Sequence, residues 1–131
     1  MISTKKLLYK VVQALSVDYV TEEGVKTGGW YYRKWKSGKV ECWMQYTSST
    51  QIAGTAWAAP IYYQDITLTI PDGIFTATPL RVYITSGTEQ WWVAGLLTIS
   101  ATSVKFRVCK PTSTAQTAKV YMYMVQERWI N

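Results

Sequence analysis

Histidine is absent from this chain of 131 residues. Catalytic triads and dyads that use a histidine base, and metal sites built from histidines, are therefore excluded. A phosphate-binding loop is also missing, because Gly24, Gly28 and Gly29 lack the required spacing and context. The eight acidic residues are scattered, although two of them could still meet in the fold and act as a glycosidase pair. We predict a protein that is not an enzyme and that holds no metal or cofactor.

Cysteine is scarce as well, with only Cys42 and Cys109 in the chain. The two are far apart and form no CxxC pattern, which argues against a zinc site or a redox motif. Each lies in a stretch of alternating apolar residues that is typical of a strand. We predict two buried, reduced thiols, with a disulfide as the alternative.

No apolar run approaches the roughly 18 residues that a membrane span needs. The first residues, MISTKK, lead into an amphipathic segment and not into the apolar centre of a signal peptide. We therefore predict a soluble chain that is made in the cytoplasm and is not inserted into a membrane.

Aromatic residues are abundant, at 15% of the chain with seven Trp and ten Tyr, and this composition favours β structure. The length predicts a single domain with a real core. Fourteen Lys and Arg against eight Asp and Glu give a formal charge of +6. That excess would suit an anionic partner, but no basic run is longer than two residues, so a solvated surface explains it equally well.

One helix is predicted, over residues 3–15. Ser3 or Thr4 would cap its N-terminus. Its apolar residues recur at helical spacing and form one stripe: Leu7, Leu8, Val11, Val12 and Leu15. A lone helix of about 13 residues is marginal in water, so it needs the β domain or copies of itself as a partner.

A β-hairpin is predicted over residues 29–47, where two runs rich in aromatic and β-branched residues flank a polar break at 36–39. The turn then places Lys34 opposite Glu41, and Tyr32 opposite a buried Trp43. In this register one face carries Trp30, Tyr32, Lys34, Glu41, Trp43 and Gln45. The other carries Tyr31, Arg33, Trp35, Val40, Cys42 and Met44, with Trp35 as a core candidate. Both faces are partly apolar, so we expect cover on both sides, one of them by a second subunit.

Further strands are predicted at 61–70, 80–85, 91–99, 104–109 and 120–126, with a short one at 17–20, while residues 52–60 show no clear pattern. About seven strands with little helix indicate a mainly β protein, an antiparallel β-sandwich or jelly-roll-like barrel. The division predicted is 1–20 for the helix and linker, and 21–131 for the β domain.

Several aromatic side chains beside loops or strand ends are candidate ligand contacts, because flat rings stack on sugars or on partner proteins. Taken singly, each is better explained by packing. Trp91 and Trp92 are adjacent in a strand and point to opposite faces, so at most one fits the core. The predicted ligand site, placed at loop ends, comprises Trp57, Tyr62, Tyr63, Arg81, Glu89, Gln90 and Trp92, in which Arg81, Glu89 and Gln90 bond sugar hydroxyls.

The string WYYRKWKSGKVECW at 30–43 resembles a pattern of small structural proteins of phage and prophage tails, many of them from gut Firmicutes: W-x-Y-x-K-W-x-x-G-x-x-E-x-W. The downstream order is similar to that of tail-fibre or baseplate receptor-binding knobs. It runs from ITLTIP at 66–71, through VYIT at 82–85, to SATSVKF at 100–106. The chain departs from these knobs in having Met44 after the last Trp, and Glu127-Arg128-Trp129 near the end.

This resemblance implies a structural protein of the virion tail, a homotrimer on a stalk to which the first 20 residues belong. Its partners would be other tail proteins and a bacterial surface glycan or protein, and not nucleic acid. Two alternatives stay open from the residues themselves. One is a polysaccharide-degrading tail enzyme, and the other is a single-stranded nucleic-acid binder, since basic charge with stacking aromatics suits such a ligand.

Overall fold

The computed structural model of the protein describes residues 3–8 and 18–127. Nine strands follow one another in this part of the chain: β1 (Val20–Lys26), β2 (Trp30–Trp35), β3 (Val40–Thr47), β4 (Thr55–Ala58), β5 (Ile61–Thr69), β6 (Arg81–Ser86), β7 (Trp92–Ile99), β8 (Ser103–Lys110) and β9 (Lys119–Gln126). They form a five-stranded sheet, in the order β1-β2-β3-β9-β6, and a four-stranded sheet, in the order β4-β5-β8-β7. All strand pairs are antiparallel, so the predicted mainly β sandwich is confirmed.

The N-terminal helix begins where it was predicted. Residues 4–8 are helical, and Ser3 caps them, because its Oγ accepts a hydrogen bond from the Lys6 amide at 3.2 Å. The rest of the predicted helix lies outside the described residues, as does Trp129. Within 3–8 and 18–127, no helix is long and apolar enough to cross a membrane.

The β2–β3 hairpin closes through a three-residue loop, 36–38. The Gly38 amide donates to the Trp35 carbonyl at 3.0 Å, and the Trp35 amide donates to the Lys39 carbonyl at 2.9 Å. Gly38 has a φ of 94°, as expected of the left-handed residue that ends such a loop. The predicted loop was one residue shorter or longer, so the predicted register is wrong by one position.

The shifted register exchanges the neighbours and the faces of the hairpin residues. Arg33, and not Lys34, lies opposite Glu41, while Tyr31 lies opposite Trp43. The core face consists of Trp30, Tyr32, Val40, Cys42 and Met44, all of which are buried. Trp35 and Trp43 are half-buried on the opposite face, so the prediction that they belong to the core is wrong.

The core lies between the two sheets and is densest along β8. Val104, Phe106 and Val108 are fully buried, as the alternation in the sequence predicted. The largest fully buried side chain is Trp91, directly before β7, whereas Trp92 is 51% exposed. The prediction that this Trp pair splits between the two faces is therefore confirmed.

Both cysteines are free, but they differ in burial. Cys42 is fully buried and its pKa is raised by desolvation to about 12. Cys109 is half-buried on the outer face of β8, so the prediction of two buried thiols is correct only for Cys42.

Edge strands account for most of the missed secondary structure. β1 extends over residues for which only a short strand at 17–20 was predicted, and β4 lies in the segment without a clear pattern. Leu80, the first residue of the strand predicted at 80–85, is 60% exposed just before β6. Edge strands need little apolar sequence, because each pairs on one side only.

Candidate functional site

The outer face of the four-stranded sheet brings together three aromatic residues of the predicted site. Tyr63 on β5 and Trp92 on β7 flank Cys109 of β8 on either side in the strand register. Trp57 on β4 packs edge-on against Tyr63, with ring centroids 5.8 Å apart. These rings lie on a sheet face, near strand ends.

Arg107 joins these aromatic rings into one cluster. Its guanidinium lies 4.1 Å from the ring centroid of Tyr63 and 5.0 Å from that of Trp57. Both distances are within the range of cation–π attraction. Trp57 nevertheless remains 52% exposed, so its ring is available to a ligand.

Asp65 holds Arg107 in place through two hydrogen bonds. Arg107 Nε donates to Asp65 Oδ1 at 2.7 Å, and Nη2 donates to Oδ2 at 3.0 Å. This fork geometry is the strong form of a carboxylate–guanidinium pair. The hydrogen bond from Arg107 keeps the pKa of Asp65 below its usual value, so the carboxylate is charged at neutral pH. The cluster is consequently rigid, and its central charges cancel.

Gly95 provides space beside this cluster. It lies opposite Arg107 in the register, and a Cβ atom built on it would have no neighbour within 4 Å. A ligand can therefore approach the backbone of β7 between Trp92 and the guanidinium of Arg107. Lys105, one step further along β8, adds a positive charge to the same face.

The other predicted site residues lie elsewhere. Tyr62 is half-buried on the opposite face of β5, because neighbouring strand residues alternate. Glu89 and Gln90 lie in the exposed turn before Trp91. Arg81 lies on the five-stranded sheet, 3.5 Å from Glu127.

Asp65 and Arg107 are the members of the cluster that sequence reasoning missed. Strand periodicity was the available signal, since Asp65 is two residues from Tyr63 and Arg107 is two from Cys109. The pairing of β5 with β8, which joins the two signals, is a contact between residues about 40 positions apart. Periodicity within a strand carries no information about such a contact.

The cluster combines one carboxylate, one guanidinium and three aromatic rings. Its one carboxylate is bound to Arg107 and has no second carboxylate as a partner in the described part of the chain. Among residues 3–8 and 18–127, no three His, Cys, Asp or Glu side chains converge as metal ligands. An exposed Trp ring beside an ordered ion pair suits sugar binding. The sugar ring can stack on the Trp, and the sugar hydroxyls can accept or donate hydrogen bonds.

Comparison with solved structures shows where this fold occurs. The chain superposes on an N-truncated R1-type pyocin tail fibre with a TM-score of 0.62, at 16% identity, over 96% of this chain and 98% of that one. The chain shares its fold with a tail fibre. A longer C-terminal fragment of the P. aeruginosa R1 pyocin fibre also matches, with a TM-score of 0.60 at 15% identity, and the match covers 32% of that fragment. No protein-family description and no curated protein matches the sequence.

Proposed function

We propose that this chain is a non-enzymatic tail-fibre domain of a phage or prophage tail, which binds a glycan or protein on the bacterial surface. The observation that carries the proposal is the tail-fibre fold, which extends over nearly the whole chain. The hairpin pattern at 30–43 supports it independently, and it points to phages of gut Firmicutes. The protein would be made in the bacterial cytoplasm and would act in the virion beside other tail proteins.

The receptor contact in this proposal is the cluster on the outer face of the four-stranded sheet. Trp57, Tyr63 and Trp92 supply ring surface, and the Asp65–Arg107 pair supplies hydrogen-bonding groups in fixed positions. A site whose side chains are held before binding loses less entropy when the ligand arrives. Of the remaining predicted residues, Glu89 and Gln90 could reach a ligand that extends beyond Trp92.

The test is binding of the fluorescently labelled protein to a panel of bacterial strains, followed by flow cytometry. On a strain that binds the parent, Trp57→Ala should weaken binding about tenfold or more, as expected of an anchoring aromatic side chain. Tyr19→Ala is the matched control, because Tyr19 is also an aromatic residue about half exposed, at 50%, and lies outside the cluster. Normal binding by folded Trp57→Ala, Tyr63→Ala and Trp92→Ala variants would place the receptor site elsewhere.

The same cells separate recognition from hydrolysis. A polysaccharide-degrading enzyme would release new reducing ends from the cells, and a recognition domain would not. We expect no release above that from cells without protein. Sustained release by the parent that is lost in Asp65→Asn would overturn the non-enzymatic assignment.

A further inference from the structure

A row of large side chains crosses the outer face of the five-stranded sheet, with one residue from each strand. Strand register places these residues side by side: Val25, Tyr31, Trp43, Tyr123 and Tyr83. At about 4.8 Å between neighbouring strands, the row is roughly 19 Å long. It lies on the side of the sheet that faces away from the core, and none of its members belongs to the site described above.

The four rings of this row form two ordered pairs. Tyr31 and Trp43 have nearly parallel planes, 11° apart, with centroids 6.1 Å apart. Tyr83 and Tyr123 are also 6.1 Å apart, with planes inclined by 34°. Val25 is 57% exposed and Tyr83 is 55% exposed, so both ends of the row are open to solvent, and Tyr31 is 47% exposed.

A second row runs directly beside the aromatic one, with charged residues on four strands and the buried Val125 on β9. Its members, again one per strand, are Glu23, Arg33, Glu41, Val125 and Arg81. Arg33 Nε lies 3.3 Å from Glu23 Oε2, and Arg81 lies 3.5 Å from Glu127. The positive charges of this row therefore all have acidic partners.

Glu41 ties the two rows together. Its carboxylate accepts hydrogen bonds from Trp35 Nε1, at 2.6 Å, and from the hydroxyl of Tyr123. Burial acts to raise the pKa of Glu41, but these hydrogen bonds and the positive charges of Lys39 and Arg33 together leave the pKa below the usual value. The ring of Tyr123 is thereby held in position before any ligand binds.

At the β1 end, the row borders a groove of about 240 Å³. The groove is lined by Glu23, Gly24, Val25, Tyr31, Tyr32 and Trp43. Its volume is smaller than the roughly 300–1,000 Å³ of pockets for drug-sized ligands, so it suits a single ring with polar substituents. The carboxylate of Glu23 lies at its wall, where it can accept hydrogen bonds from hydroxyl groups.

We propose that this face binds a linear, neutral oligosaccharide, with sugar rings along the aromatic row and one terminal sugar in the groove. Sugars have apolar ring faces and hydroxyl rims, and the two parallel rows offer rings and hydrogen-bonding groups in the same order. The proposal does not depend on the receptor role of the four-stranded sheet. Whichever partner binds there, this face is a separate site.

The charges on this face favour a neutral oligosaccharide over the other possible occupants. A single-stranded nucleic acid needs unpaired Lys and Arg along its phosphates, and here the arginines are paired with carboxylates. The centre of a subunit interface is usually depleted of charged residues, and here charged residues lie beside the rings on four of the five strands. A neutral chain of sugars can stack its rings on the aromatic row and form hydrogen bonds with the charged residues of the second row.

The test uses an array of immobilised neutral oligosaccharides, namely linear chito-, cello- and manno-oligosaccharides and glucans. Their monosaccharides and a single-stranded oligonucleotide serve as further probes. We expect the full chain to be retained on at least one oligosaccharide more strongly than on its monosaccharide, with little effect of salt. Tyr31→Ala and Tyr83→Ala should each weaken retention about tenfold, while Tyr19→Ala, which changes an exposed aromatic residue outside both sites, should leave it unchanged.

Each contrary outcome rejects the proposal. Absence of retention on every oligosaccharide would overturn it, as would equal retention of the parent and both Tyr variants. Preferential, salt-sensitive retention on the oligonucleotide would show that the occupant is a nucleic acid. If light scattering finds that Tyr31→Ala or Tyr83→Ala dissociates an oligomer of the parent, the occupant is a second copy of the chain.

Discussion

At the scale of single residues, Trp91 is the side chain on which the fold depends most. It is fully buried, its Nε1 donates to the carbonyl of Gln116 at 3.1 Å, and the Lys110 ammonium lies 4.6 Å from its ring centroid. We expect Trp91→Ala to lower the free energy of unfolding by about 3–5 kcal/mol, the usual cost of deleting a buried aromatic side chain.

The neighbouring tryptophan provides the control for this prediction. Trp92→Ala removes the same side chain from an exposed position and should cost less than about 1 kcal/mol. Urea unfolding followed by circular dichroism measures both variants. Equal midpoints for Trp91→Ala and Trp92→Ala would contradict the burial of Trp91.

Two ionisable side chains make the stability sensitive to alkaline pH. Burial raises the pKa of Cys42 from 9.0 to about 12, and burial with the hydrogen bond to Glu41 raises that of Tyr123 from 10.0 to about 12. Between those values the unfolded chain has lost protons that the folded chain retains, so unfolding becomes more favourable as pH rises. We expect the urea midpoint to be level near neutral pH and to fall above pH about 9.

A variant of Tyr123 and thiol labelling test whether these two residues cause the loss of stability at alkaline pH. Tyr123→Phe should be less stable than the parent at neutral pH, but its alkaline decline should be shallower. An aromatic disulfide reagent should label Cys109 in the native protein well before Cys42. A decline of unchanged slope, or equally fast labelling of both thiols, would count against these pKa shifts.

At the scale of secondary-structure elements, the register of the β2–β3 hairpin depends on Gly38. Its φ of 94° lies in the region that residues with a Cβ atom avoid. Gly38→Ala should therefore lower the free energy of unfolding by about 1–2 kcal/mol, and Gly38→Asn by less, because Asn tolerates this conformation better. Thermal unfolding by calorimetry gives the difference.

Gly95 is the matched glycine for this comparison. It has an ordinary φ and open space where a Cβ would lie, so Gly95→Ala should be close to neutral or slightly stabilising. If Gly38→Ala proves as stable as Gly95→Ala, the loop does not require a left-handed residue, and the observed register loses its explanation.

The elements also show how far sequence reasoning extends. β8 and β9 were predicted nearly to their ends, because β8 alternates apolar and polar residues and β9 is a short run rich in Val, Tyr and Met. The hairpin was found but paired one position out, because the same residues fit a loop of two, three or four residues. That single step moved Trp43 from the core to the outer face, since side chains alternate along a strand.

The candidate site, too, was predictable from the sequence only in part. Trp57, Tyr63 and Trp92 were found as aromatics that hairpin pairing did not explain, and the sheet does bring them together. Asp65 and Arg107 needed the pairing of β5 with β8. The row from Val25 to Tyr83 needed the order of all five strands, in which β9 inserts between β3 and β6.

At the scale of the whole molecule, we predict a homotrimer, held together by the apolar stripe predicted for residues 3–15. The described start of this segment agrees with an unpartnered helix, because Leu7 is 54% exposed and Leu8 is 63% exposed. Sedimentation equilibrium at tens of micromolar should give three times the mass of the chain, and Leu8→Glu should reduce it to a single chain.

The β domain supplies the control for the trimer. A chain that begins at residue 18 should keep its β circular-dichroism spectrum and sediment as a monomer, because the described core contains no residue before Trp30. A monomeric parent would reject the trimer, and a trimeric truncated chain would show that the contacts between subunits lie in the β domain.

The alternation along β8 also bears on how such proteins diverge. Val104, Phe106 and Val108 point into the core, while Lys105, Arg107 and Cys109 point outward from the same eight residues. Selection on surface contacts therefore acts on the codons of the outward residues, and selection on folding acts on the codons of the inward residues between them. Substitutions in the outward set can therefore change the surface and leave the fold intact. Two chains can in this way share a fold at an identity as low as 16%.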